Sequence, residues 1–352
     1  MSANRERRNF ALSAALVLGM TVGVPATAQG EGAEHDVAEK DAAGEAAPDE
    51  VSVHRIQGED RYATAANMAE NFGDPDRVYL ASGEEYFDAL SGSPAAILDG
   101  APVLLTKSDH LPQHTGSALQ ALEPKEVVVV GGTEAIADDV LTQVEEQTGA
   151  EITRVSGENR YGTAMFLATE RFEAKYVTHV FVASGEDYAD ALSGGTRAGA
   201  EGSPILLTQH GNLPAETSQA LDELDPALVT VLGGEEAVSD EVLAEIGGHT
   251  DEVRRVAGKD RYETSALLAE TTAPGETALV ASGEDFPDAL AGTALAGHLG
   301  LDVPLLLTQP DNLPEVTGSV LSDREPDIVE LLGGELTIND SVGQEIEELL
   351  AE

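Results

Sequence analysis

Three arginines, Arg61, Arg160 and Arg261, are each followed by a tyrosine: Tyr62, Tyr161 and Tyr262. They stand in a chain of 352 residues with 19 lysines and arginines against 65 aspartates and glutamates. A guanidinium presents five donors in a planar fork that fits a carboxylate or phosphate in bidentate fashion. Beyond each pair comes a serine-glycine-glutamate turn and then an aspartate. The residues are Ser82, Glu84 and Asp88, then Ser184, Glu186 and Asp190, then Ser282, Glu284 and Asp288. A threonine ends an apolar run at Thr106, Thr208 and Thr308, and a second arginine column recurs at Arg55, Arg154 and Arg255. Two chemistries fit these residues. Arg61, Arg160 and Arg261 either pair with Asp88, Asp190 and Asp288 or line a groove for an anionic polymer. An arginine oriented by a carboxylate does both. The tyrosines either stack on a sugar ring or lie half-buried against their helices.

Catalysis has little to stand on. The motif G-x-S-x-G is absent, and none of the eight histidines recurs to serve a serine as base. The repeated glutamates and aspartates are the residue types of glycosidase acid–base pairs, but helix capping accounts for them more simply. No dinucleotide fingerprint, P-loop or metal-ligand spacing occurs. No catalytic residue, metal or cofactor is expected.

The residues must be positioned by a repeated element. "ASGEEYFDALSG", "ASGEDYADALSG" and "ASGEDFPDALAG" begin at Ala81, Ala183 and Ala281. "RIQGEDRYATA", "RVSGENRYGTA" and "RVAGKDRYETS" begin at Arg55, Arg154 and Arg255. A period of about a hundred residues is domain-sized. Within each unit, apolar runs such as "RVYLAS", "PVLLT" and "EVVVVGG" alternate with helical patterns such as "DRYATAANMAENF", "FDALSGSPAAILDG" and "LPQHTGSALQAL". Uninterrupted apolar strands imply a sheet covered on both faces, and the alternation implies parallel strands with helical crossovers. The expectation is three α/β domains of Rossmann-like or flavodoxin-like appearance at 51–150, 151–250 and 251–352, each cut before its R-[IV]-x-G strand. Ligands of such folds bind at the carboxyl ends of the strands, where the recurring polar residues fall. The glycines there either permit tight turns or let backbone approach an anionic ligand.

Composition bounds the setting. A formal net charge of −46 repels itself at low salt and is screened at high salt, where the Debye length falls to about 3 Å. Such a chain is either adapted to salt, as in a halophile, or an acidic secreted protein. No basic patch is present to bind nucleic acid. Without cysteine there are no disulfides. At the N-terminus, Arg5, Arg7 and Arg8 precede the apolar run Phe10–Val24 and the small residues Ala26–Ala28. This reads as a signal peptide over 1–28, with "RRNF" weakly similar to a twin-arginine signal. An acidic, disordered linker follows over 29–50. The expected location is secreted, at the cell wall or cell surface, and not membrane-spanning after signal removal.

The linked signatures R-[IV]-x-G-x-[DN]-R-Y-x-T, ASGE-x-[YF]-x-DAL-[SA]-G and P-[VIL]-LLT, with the glycine pair after the fourth strand, resemble the type 2 cell-wall-binding repeat family in all three units. Pro204–Leu207 matches its "PILL" hallmark outright. The resemblance implies non-catalytic Rossmann- or Toprim-like modules, associated as a pseudo-threefold trimer, that anchor to an anionic cell-envelope polymer or glycan. It also implies alternatives: an accessory or modifier subunit of a peptidoglycan hydrolase such as a cell-wall amidase, or a structural surface-layer component.

Overall fold

The computed structural model describes residues 51–351. The signal peptide and acidic linker expected over 1–28 and 29–50 lie outside the described residues. The first repeat forms β1 (Ser52–Ile56), α1 (Arg61–Ala69), β2 (Arg77–Ser82), α2 (Gly92–Leu98), β3 (Val103–Thr106), α3 (Gln113–Leu122), β4 (Glu126–Val130) and α4 (Asp138–Thr148). The second forms β5 (Glu151–Val155), α5 (Arg160–Arg171), β6 (His179–Ser184), α6 (Ala189–Ala200), β7 (Ile205–Thr208), α7 (Ala215–Leu224), β8 (Leu228–Leu232) and α8 (Asp240–Ile246). The third forms β9 (Glu252–Val256), α9 (Arg261–Glu270), β10 (Thr277–Ser282), α10 (Pro287–Leu299), β11 (Leu305–Thr308), α11 (Glu315–Arg324), β12 (Ile328–Leu332) and α12 (Asp340–Leu350). The three α/β modules with parallel sheets are as expected, because strands such as β2 and β3 are buried almost throughout between helical layers.

The strand that opens each repeat joins another repeat's sheet. The orders are β3-β2-β4-β5, β7-β6-β8-β9 and β1-β12-β10-β11, all parallel. Thus β5 continues from β4 with Val130 beside Val155, and β9 continues from β8 with Leu232 beside Val256. The set closes on itself: β1 lies along β12, Ser52 beside Ile328 and Ile56 beside Leu332. Cutting the chain before each R-[IV]-x-G strand therefore follows the repeat, while the folded sheet is offset by one strand. A repeat fixes a period but not a phase. The crossover through α4 or α8 delivers the next strand to the nearest open edge before the chain passes into the following helix.

Helices α2, α6 and α10 pack against one another. Equivalent residues meet there in layers. Tyr86, Tyr188 and Phe286 form an aromatic cluster with ring centroids 5.2, 5.7 and 6.1 Å apart. The next turn brings the buried Leu90, Leu192 and Leu290, and the turn after it Ser93, Gly195 and Thr293, where a Cβ on Gly195 would stand 2.9 Å from Thr293. Below them Ile97 occupies the space left by Gly199 and Gly297. The three repeats are thus arranged about one pseudo-threefold axis. In the first repeat the helix runs only over Gly92–Leu98, preceded by a 3-10 turn at Ala89–Ser91. Pro94 has no N–H to give Leu90, so the α-helical ladder cannot extend back through that turn. No helix among the described residues is long and apolar enough to cross a membrane.

Candidate functional site

Each helix that opens a unit is capped by the residue before its arginine. Asp60 accepts from the N–H groups of Tyr62 and Ala63, Asn159 from Tyr161 and Gly162, and Asp260 from Glu263. The cap sets the arginine at the carboxyl end of the sheet, beside the serine-glycine-glutamate turn. Arg61 Nη1 donates to the Gly83 carbonyl at 2.7 Å, Arg261 Nη1 to Gly283 at 2.6 Å, and Arg160 Nη1 to Gly185. The guanidinium then reaches across to another repeat. Arg61 meets Asp285 at 3.3 Å and stands over Phe286; Arg261 meets Asp187 at 3.3 Å and stands over Tyr188. Arg160 lies on the ring of Phe87, 3.5 Å from its centroid. All three are half-buried at junctions between repeats.

Of the two alternatives, the ion pairs of these arginines with Asp88, Asp190 and Asp288 do not form. The partners come instead from the position three residues earlier and from a neighbouring repeat. The Asp88, Asp190 and Asp288 carboxyls point at the first glycine of each glycine pair, where a Cβ would stand 3.0, 2.4 and 2.3 Å from an aspartate oxygen. Those glycines, Gly131, Gly233 and Gly333, also hold φ of +115°, +93° and +109°, a region that disfavours any side chain. Burial raises the Asp190 carboxyl above its usual range, opposed by a hydrogen bond with Thr264 of the third repeat. Burial pushes Asp288 up to about 6, and its Oδ1 has no partner.

The other sequence candidates are held within the fold. The Tyr62, Tyr161 and Tyr262 rings are buried on Gly83, Gly185 and Gly283, whose missing Cβ atoms make the room. Burial pushes the Tyr62 hydroxyl up to about 12. Ser82, Ser184 and Ser282 are buried, and their hydroxyls accept from the N–H groups of Glu84, Glu186 and Glu284. Glu84 accepts from the Ser108 N–H and hydroxyl, which holds it below the usual carboxylate range; Glu186 accepts from the His210 N–H. Thr106, Thr208 and Thr308 are wholly buried and donate to carbonyls of their own loops. Arg55, Arg154 and Arg255 staple the sheets. Their Nη1 atoms donate to the carbonyls of Gly333, Gly131 and Gly233, and their Nη2 atoms reach Asp340, Asp138 and Asp240.

The structure therefore brings the Arg61 column to shared crevices together with residues that sequence reasoning passed over: Asp187 and Asp285, the Phe87 ring and the axial aromatics. The signal was present in the second and third "ASGE[DE][YF]" segments, but recurrence drew attention to the invariant aspartate. At the junction of repeats two and three, an open hollow of about 490 Å³ is lined by Asp187, Asp190, Glu236, Lys259 and Arg261. The arrangement offers guanidinium donors and aromatic edges in series around the axis. Among the described residues no group of three or more acidic or histidine side chains is placed to hold a metal ion.

The profile of a family described as Cell wall binding domain 2 (CWB2) matches residues 55–141, 154–243 and 255–343. The chain is 28% identical over 297 residues to the N-acetylmuramoyl-L-alanine amidase LytC of Bacillus subtilis (strain 168), covering 84% of this chain and 58% of that protein. It is 30% identical over 301 residues to the Amidase enhancer of the same organism, covering 85% of this chain and 40% of that one. Among solved structures, Cwp6 from Clostridium difficile superposes with a TM-score of 0.79 at 25% identity, over 90% of this chain and 51% of that chain. Cwp8 from Clostridium difficile gives 0.76 at 25% identity, over 85% and 52%.

Proposed function

The chain belongs to the Cell wall binding domain 2 family, and from that membership we propose that it is a secreted, non-catalytic protein that anchors to an anionic polymer of the cell envelope. The observation that carries this reading is the placement of Arg61, Arg160 and Arg261 at three crevices about one axis, each open to solvent. A long polymer that meets matching donors in series gains avidity without any single tight contact. Glu186 lines the hollows beside Arg160 and Arg261, while the buried serines, threonines and tyrosines support the turns around them. High ionic strength shortens the reach of the −46 charge to a few ångströms and leaves the hydrogen bonds of each crevice to decide binding.

The test is co-sedimentation of the chain with purified envelope polymer across salt, Ca²⁺ and Mg²⁺ series. Replacing the three arginines together with alanine is expected to weaken binding at least about tenfold. Absence of binding by the unaltered chain under every condition would overturn the reading.

A second reading has its own support in the two relatives named as an amidase and an amidase enhancer. In it, the chain positions or modifies a peptidoglycan hydrolase. The chain alone should then leave walls intact, and adding it to an amidase should change the rate of lysis; an unchanged rate counts against this reading.

A further inference from the structure

We infer that the three crevices are unequal, and that the surroundings of Arg160 form the principal subsite, taking a sugar ring that carries an anionic substituent. This rests on the polymer-binding reading above and adds where, and by which chemistry, the polymer is held. Three departures from threefold repetition converge on this one arginine.

The first concerns charge. Arg61 and Arg261 each have a carboxylate partner, Asp285 and Asp187. The position of the first repeat equivalent to Asp187 and Asp285 is Glu85, and among the described residues Arg160 forms no ion pair. Among the described residues its one side-chain hydrogen bond runs from Nη1 to the Gly185 carbonyl, which leaves Nε and Nη2 to meet a ligand. An anion at Arg61 or Arg261 must first displace an aspartate; at Arg160 no paired carboxylate stands in its way.

The second is Phe87, where the sister repeats have Ala189 and Pro287. Its ring lies under the Arg160 guanidinium, 3.5 Å from centroid to guanidinium carbon, and restricts where the fork can go. A donor group held in one orientation loses less conformational freedom on binding.

The third is Asn159, where the sister repeats have Asp60 and Asp260. Asn159 caps its helix as they do, but it removes one negative charge beside the arginine and donates from Nδ2 to Glu216 at 2.8 Å. Arg160 opens onto a hollow of about 540 Å³ whose wall includes Asn159, Tyr161, Gln209 and Asn212. Its two acidic residues already accept hydrogen bonds, Glu216 from Asn159 and Glu186 from the His210 N–H. Amide groups beside one oriented guanidinium suit the hydroxyls and the charged substituent of a sugar, and the volume lies within the range of small-molecule sites.

Titration calorimetry on the full chain at high ionic strength tests this, with oligogalacturonate as the carboxylate probe, phosphomannan as the phosphate probe and neutral mannan as the control. Arg160→Ala is expected to weaken binding of the preferred anionic probe about tenfold, and Arg61→Ala or Arg261→Ala only about twofold. Asn159→Asp, Glu85→Asp and Phe87→Ala install sister-repeat residues, and each should weaken binding several-fold with the fold checked by its melting temperature. Asp285→Asn, which frees Arg61, should strengthen it. Equal losses from the three arginine variants, or unchanged affinity in Asn159→Asp, would overturn the inequality while envelope co-sedimentation still stood. No binding of either anionic probe by a chain that does sediment with envelopes would overturn it as well. Failure of the unaltered chain to sediment would remove the anchoring reading itself.

Discussion

A carboxyl sealed behind a glycine pair does not titrate as it would in water. Desolvation disfavours the charged form of Asp288, nearby Asp285 adds repulsion, and Arg61 offsets part of both. Its folded value of about 6 lies above the ordinary 3.8. The native protein therefore binds this proton more tightly than the unfolded chain does. The contribution to stability is greatest below the unfolded value and is lost as pH rises through about 6. Asp288→Asn keeps the shape and removes the charge. It should raise the melting temperature near pH 8 and give no gain near pH 4. The scale is roughly 3 kcal/mol, the free energy that separates a carboxyl titrating at 3.8 from one titrating at about 6. Calorimetric scans at both pH values check this; a variant destabilised near pH 8 would show that the fold uses the carboxylate. The aspartate column also marks where sequence reasoning reached its limit. Recurrence singled out the arginines but not their partners: the recurring Asp288 carboxyl lies against Gly333. Arg61 is met by Asp285 from a repeat more than two hundred residues away, at a position that itself varies between glutamate and aspartate.

At the level of the helix and strand, apolar runs and capping residues were sufficient to place the elements, since each depends on neighbours within a few residues. Packing at the axis was not legible in that way. Ile97, Gly199 and Gly297 occupy equivalent positions in their repeats, and nothing in one repeat announces that its partners must be small. Glycine inside α6 normally costs about 0.5–1 kcal/mol relative to alanine, so Gly199→Ala on an isolated helix would stabilise. Here the new Cβ would stand 2.4 Å from Ile97 Cδ1 and 2.7 Å from its Cβ. Gly199→Ala is therefore expected to destabilise by about 1–3 kcal/mol. Adding Ile97→Ala should recover much of the loss, with a double-mutant cycle in denaturant as the measurement. A stabilising Gly199→Ala would show that the three helices leave room for a methyl group beside Ile97.

For the molecule as a whole, closure depends on five residues at the start of the described chain. Without β1, β12 becomes an unpaired edge, and the carbonyl of Gly333 and the carboxylate of Asp340 lose Arg55. Deleting residues 51–56 should cost on the order of 5 kcal/mol, taking roughly 1 kcal/mol for each ladder bond. It should also promote self-association through the exposed strand. Light scattering and calorimetry measure both, and a synthetic peptide of that segment should restore the monomer. An unchanged melting temperature in the deleted chain would contradict this.

The partnership between β1 and β12 also bears on biosynthesis. A ribosome that has made the first strand must go on through nearly three hundred residues before that strand has anywhere to pair. Two repeats can assemble behind it as they emerge, yet the molecule cannot lock until the last sheet exists. A product cut short anywhere before β12 keeps β1 unpaired, open to proteases and chaperones, and only a polypeptide that reaches β12 hides it.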